Sequence, residues 1–247
     1  MSARRATRAA VAIVVILAVV ALAAALGDAH LRPSGASSLV GMLQAADGVV
    51  LARSVEATRA RDPQHASTPF LARDTIAGEG PSGGFVLEQE APLLRYAALA
   101  DAIVLVRRTS HDSGTRWLSV QPAGAGIVLD GPEVGEATRA VLRDLFAAVH
   151  PTAGAEPDVG RAADALVRAL SLPERKLRAL ALLDVAALAA EPDHFTPAQA
   201  ERLARYGDAP GDDPQLAPQV RDIGNRIVAR LKGKTGAAPT NAGGGQP

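Results

Sequence analysis

The sequence predicts an α+β protein: an N-terminal membrane-targeting helix, a small antiparallel β-barrel or sandwich of about six strands, then a bundle or short array of about five helices. Three observations lead there. Arg4, Arg5 and Arg8 precede an uncharged run from Ala9 to Gly27. From Gly48 to Asp130, short runs of valine, isoleucine and leucine alternate with glycine, proline and polar turns. Beyond Gly131 the apolar residues recur at helical spacing instead.

The run "AAVAIVVILAVVALAAALG" makes about 28 Å of helix, close to the roughly 30 Å hydrocarbon core. Its basic flank is expected to stay in the cytoplasm and to send the chain from Asp28 onward across the membrane. A cleaved signal peptide fits the same residues, because Ala23, Ala25 and Gly27 place small side chains where a signal peptidase cuts. Residues 1–27 are therefore either signal or anchor, and residues 9–27 contact the membrane if they are retained. The expected location is the cell envelope, periplasmic or secreted. Arg4-Arg5 is followed by Ala6 and Thr7, where a twin-arginine signal carries larger apolar residues.

Composition removes several function classes. There is no cysteine, which excludes a lipid-anchored lipoprotein, disulfide staples, thiol catalysis and cysteine-ligated zinc or iron–sulfur sites. Basic and acidic residues balance at 26 each, and losing the leader's arginines leaves the remainder slightly acidic. Neither half is a basic footprint, so no nucleic-acid partner is expected. The only aromatics are Phe70, Phe85, Tyr96, Trp117, Phe146, Phe195 and Tyr206, a thin supply of anchors for a binding surface.

The β half is read as residues 28–131, with strands over 48–58, 68–78, 84–90, 102–108, 116–121 and 126–130. "RTSHDSGTR", 108–116, is the expected hairpin tip. The succession "AADGVVLARSVEAT", "FLARDTIAGEG", "GGFVLEQE", "AIVLVRR" resembles exported bacterial proteins bearing a netrin-like or TIMP-like module, an OB-type barrel. In that resemblance Ile76 to Gly78 takes the place of the Leu-x-Gly that ends the second strand, and Ile103 to Val106 that of the fourth strand. It departs from the family in lacking the cysteines of the animal members and the aromatics of the fourth strand. It implies no catalytic residue.

The helical half is read as residues 132–232, with helices over 133–149, 158–170, 173–190, 197–206 and 214–231. Ser171 to Glu174 and Thr196 to Gln199 have the form of capping boxes, and Asp213-Pro214 that of a cap followed by proline. In spacing alone these helices resemble a short HEAT-like array. The half is large enough to be expected to fold by itself, with the helix over 133–149 packing on the β half. The glycine-rich tail, 233–247, is expected to be disordered.

Gly78, Gly80 and Gly83 stand in the spacing G-x-G-x-x-G. A dinucleotide turn needs a helix after it, whereas Gly84 leads into the β-run "FVLEQE" and Pro81 removes a cradling N–H. A strand-turn-strand is expected, and no cofactor. Asp101 is at a distance to mimic a ribose-binding acid but sits on a separate segment. His30, His65, His111, His150 and His194 are scattered, so no metal site is expected. His111-Asp112-Ser113 puts the triad residue types side by side, where they cannot align. Asp208, Asp212 and Asp213 miss the EF-hand spacing. Asp184, inside the most apolar helix, is expected to face Arg175, Arg178 or a neighbouring helix.

Catalytic residues are therefore not assigned. The candidates for a partner surface are Arg107, Arg108, Arg116 and Trp117, which combine charge with the one indole. The reading favours a non-catalytic envelope module that binds another envelope protein or cell-wall material. Behind it stand a hydrolase with residues gathered from separate segments and a purely structural, membrane-anchored protein.

Overall fold

Two runs of the sequence organise the β half. "GVVLA" (48–52) and "AIVLV" (102–106) are apolar at every position after the first glycine, the pattern of a strand covered on both faces. They form β1 (Gly48–Ser54) and β5 (Asp101–His111), paired antiparallel from Gly48 opposite Val106 to Arg53 opposite Asp101. The computed structural model describes residues 38–90, 95–111, 114–122, 126–129, 133–152 and 155–235. The helix expected over 9–27 lies outside them, as does the tail after Thr235.

β3 (His65–Gly78) pairs with the other edge of β1, and β4 (Gly84–Glu90) pairs with β3. β6 (Gly114–Ser119) returns along β5 and meets β4 at Leu87–Trp117 and Glu88–Leu118. The order β1-β3-β4-β6-β5 leads back to β1, so five strands close into an OB-like barrel. β2 (Arg59–Ala60) and β7 (Ile127–Val128) are two-residue additions to β3 and β5. The expectation of an antiparallel barrel needs one correction. β4 and β6 are parallel, because β5 runs beside β1, beyond β4, and the hairpin after it comes back alongside β4 in the same sense.

The alternation of side chains divides β1 and β5 between two cores. Val50, Ala52, Ala102, Val104 and Val106 fill the barrel with Phe70, Leu87 and Tyr96. Val49, Leu51, Ile103 and Leu105 point outward into a second core made with the helices. First into that core is α1 (Leu39–Ala45), whose Leu39, Met42 and Leu43 are fully buried. Sequence reasoning missed it: seven residues make about two turns, too short for a period to declare itself. Its one local signal is Ser38, whose hydroxyl accepts the Gly41 N–H at 2.9 Å.

Then follow α2 (Glu136–Val149), α3 (Val159–Ala169), α4 (Arg175–Leu188), α5 (Pro197–Ala204) and α6 (Ala217–Thr235), close to their expected positions. The capping box at Thr196 is formed. The one at Ser171 is not. Its hydroxyl donates to Asp212 at 2.9 Å and accepts from Arg202 at 3.0 Å, while Glu174 takes the Thr138 hydroxyl at 2.7 Å. Arg178 holds the turn before α4 by donating to the carbonyls of Leu172 and Pro173, and the helix starts at Arg175 without a side-chain cap.

α2 packs on the barrel as expected. Arg139 pairs with Asp74, and Arg143 donates to the Ile76 carbonyl at 3.3 Å. Phe146 covers Gly78, where a β-carbon would stand 2.5 Å from the ring and 2.2 Å from the Asp47 carbonyl. The described residues on both sides of the change of period near Gly131 thus belong to one compact unit.

Asp184 ties α4 to α1. It faces neither Arg175 nor Arg178; its carboxylate accepts the Val40 N–H at 3.0 Å, with the Ser38 hydroxyl and the Leu39 N–H as further donors. An anion at a helix N-terminus satisfies amides that the helix leaves unpaired. Burial nevertheless pushes this carboxyl above its ordinary range, against those donors. The folded protein therefore holds the proton more tightly than the unfolded chain does. Asp184 costs least stability in acid and progressively more as pH rises through its folded pKa. Asp184→Asn keeps a carbonyl oxygen for the Val40 amide and drops the charge, so it should gain stability relative to the natural protein as pH rises from about 4 to 8. Asp184→Ala leaves the amides unpaired and should cost about 1–3 kcal/mol. Thermal unfolding across that range checks both.

Candidate groove at the barrel mouth

The segment Glu79–Gly83 joins β3 to β4 as a strand-turn-strand, the arrangement expected from Gly84 leading into a β-run. Gly78 and Gly83 have φ of +67° and +79°, backbone that glycine adopts without strain. The β5–β6 hairpin lies across from this loop, with His111 opposite Gly114. It turns where "RTSHDSGTR" placed it; Asp112 and Ser113 lie outside the described residues.

A groove of about 510 Å³ runs between the two, lined by Gly80–Ser82, Gly84–Val86 and Glu88 on one side and Arg108 and Thr115–Trp117 on the other. It exists because β4 and β6 separate. Their pairing covers Leu87 and Glu88 of β4 alone, although β4 begins at Gly84 and β6 at Gly114. Among the described residues, Gly84–Val86 consequently has β3 on one side and no paired strand on the other. A second groove of about 600 Å³ adjoins it and shares Arg108, with Asp47, Glu79, Ser110, Phe146 and His150 among its lining.

The structure therefore gathers Arg108, Arg116 and Trp117 around one groove. Arg107 points to the opposite face of β5, since its neighbour Val106 faces the barrel interior on the same side as Arg108. Trp117 stands opposite Arg108 and packs against the barrel core. Phe85, on the facing wall, stacks on Phe70 at 5.6 Å, and Phe70 meets Tyr96 edge-on at 5.0 Å. An aromatic ladder thus leads from the groove into the core.

The charges in the groove are loosely held. Arg116 reaches Glu88 at 3.5 Å and Arg108 reaches Glu79 at 3.6 Å. Their side chains are 41% and 52% exposed, and contacts of this kind contribute at most about 1 kcal/mol. Both guanidinium groups can turn to a ligand at small cost. The backbone beneath is firmer: the Arg108 N–H donates to Asp47 at 2.7 Å.

In the adjoining groove His150 stacks on Phe146 at 4.3 Å, with Nε2 2.8 Å from the Leu43 carbonyl at the end of α1. That carbonyl accepts, so Nε2 carries the hydrogen. Among the described residues no carboxylate or hydroxyl bonds to the ring, and no cluster of histidine and acids has metal-binding geometry. Asp101 is taken by Arg53 at 2.6 Å and by Arg73 at 3.1 Å; the Arg53 hydrogen bonds hold its carboxyl below the usual range. Asp208, Asp212 and Asp213 each pair with an arginine, respectively Arg221, Arg202 and Arg178.

Sequence reasoning found the cationic wall and the indole but missed the splay of β4 from β6 and the second groove. The groups of that second groove come from separated segments, and no local spacing announces them. Comparison with protein families, with curated proteins and with solved structures finds no match for the chain.

The Tyr96 hydroxyl, at the inner end of the ladder, is buried without a hydrogen-bond partner among the described residues. Burial raises its pKa. Tyr96→Phe removes an unpaired polar atom and keeps the ring, so the melting temperature should hold or rise. Tyr96→Ala should cost about 3–5 kcal/mol by opening a cavity beside Phe70. Calorimetry of the two variants decides whether the ladder stands on packing.

Proposed function

We propose that this chain is a non-catalytic binding module of the cell envelope, and that the barrel-mouth groove is its ligand surface. The observation that carries the reading is the assembly, on one open seam, of two arginines in weak ion pairs, a partly exposed tryptophan and a phenylalanine. Arginine and aromatic side chains carry much of the energy of protein recognition. The basic flank and uncharged run at the N-terminus support export, with residues 9–27 as anchor or cleaved signal. On this reading the β half is of the netrin-like or TIMP-like kind, with packing in place of the cysteine staples of the animal members. The helices brace the barrel and leave the groove free for an envelope protein or cell-wall material.

Two measurements test it. Protease added to spheroplasts should digest the part of the chain after Asp28; complete protection, with the cells shown intact, overturns the topology. Retention of the full-length protein by an isolated envelope fraction should fall at least about tenfold in Arg108→Glu/Arg116→Glu. The double variant should keep the circular dichroism of the natural protein, since both side chains are exposed. Undiminished retention removes the groove from the account.

A further inference from the structure

Resting on the reading of this groove as a ligand surface, we infer that its occupant is an extended, acidic peptide segment that adds a strand to the free edge of β4. The first ground is the backbone. Gly84–Val86 is β-strand with β3 as its partner on one side, at Phe85–Phe70 and Gly84–Leu71. On the other side the pairing to β6 starts only at Leu87. A strand edge presents alternate N–H and C=O groups to any chain laid along it. The barrel closes above this point and opens below it, so the site admits a short strand of about three to five residues.

Charge is the second ground. The wall facing this edge is Thr115, Arg116 and Trp117, with Arg108 at the end. Two arginines stand there, Arg116 sharing Glu88 with Arg61 and Arg108 reaching only the exposed Glu79 at 3.6 Å. A carboxylate on the incoming segment takes a charge-assisted, bidentate pair from a guanidinium that now holds only a loose surface contact.

The side chains supply the third. On the outer surface beside this edge Leu71 and Val86 are 49% and 48% exposed. Pro69 stands opposite Val86, placing it on the same outer face as Leu71, two residues on. An added strand sets alternate residues on that face and turns the others toward Phe85, Trp117 and Arg108. The sequence it fits alternates acidic with apolar residues. A glycan finds less here, because the one indole is partly buried against the barrel core.

The chain has one tryptophan, Trp117, and it lines the groove, so its emission reports occupancy directly. Random octapeptides displayed on ribosomes are panned against the full-length protein in mild detergent. Winners are then synthesised and titrated against Trp117 fluorescence. Enriched peptides should alternate acidic and apolar residues, change the emission saturably, and bind at least tenfold more weakly to Arg108→Glu/Arg116→Glu. N-methylation of one set of alternate peptide amides should abolish binding, and methylation of the other set should leave it, because an edge strand pairs through one set only. The inference is overturned if no peptide is enriched, if the winners leave Trp117 unchanged or bind the double variant equally, or if both methylated sets bind alike. Soluble cell-wall glycan fragments form a separate arm: if they alone move the Trp117 emission, the peptide is wrong and the groove reading stands. If envelope retention also ignores the double variant, the groove reading fails with it.

Discussion

Burial of β1 and β5 on both faces is the constraint from which the other features follow. A strand in a two-layer barrel usually has one wet face, and its sequence shows alternation. Here Val50, Ala52, Val104 and Val106 fill the barrel while Val49, Leu51, Ile103 and Leu105 meet the helices. The paired strands are one wall shared by two cores. Neither core keeps its lining if the other side is removed, since the outward residues would then face water. That is why a chain without a cysteine can dispense with staples: the closure of the barrel and the docking of the helices draw on the same strands.

The same arrangement explains where the groove is. The helices are committed to the outward side of β1 and β5 and to the end of β3, with α2 fixed on β3 by Arg139 at Asp74 and Phe146 over Gly78, and α1 held in the outer core under the Asp184 carboxylate. The wall beyond them, β4 and the adjoining stretch of β3 around Leu71, keeps exposed apolar residues at Leu71 and Val86. The pairing between β4 and β6 that closes the barrel is the parallel one, and it is short. Parallel pairs are slightly less stable than antiparallel ones per residue, so the seam is the natural place for the barrel to open. A glycine-rich loop borders the opening on one side and the β5–β6 hairpin on the other.

Much of this was legible in the sequence where the signal is local. β4 begins at Gly84 and ends at Glu90 as expected, α2 ends at Val149, and the Thr196 cap is in place. Glycine at 78 and 83 announced a turn, and both take positive φ there. Failures came where distant residues intervene. The Ser171–Glu174 pattern has the right letters, but Asp212, Arg202 and Thr138 hold both side chains from elsewhere. Of the partners expected for Asp184, the neighbouring helix is the one it meets rather than Arg175 or Arg178, but nothing near it in sequence reveals that this is the N-terminus of α1. Of the site, Arg108, Arg116 and Trp117 could be picked out by type and spacing. Glu79 and His150 could not, and nothing in the sequence shows that β4 and β6 part company.

The shared wall is tested most directly by following two signals through one unfolding transition. Trp117 emission reports the barrel, and far-ultraviolet circular dichroism reports chiefly the helices. In urea the two midpoints should coincide for the full-length protein. Leu105→Ala truncates a side chain that points away from the barrel interior, toward the helices, and costs about 2–5 kcal/mol; it should move both midpoints together. Separate midpoints, with Leu105→Ala shifting the circular dichroism while Trp117 stays where it was, would show that the barrel stands without the helices, and the account of a common wall would be wrong.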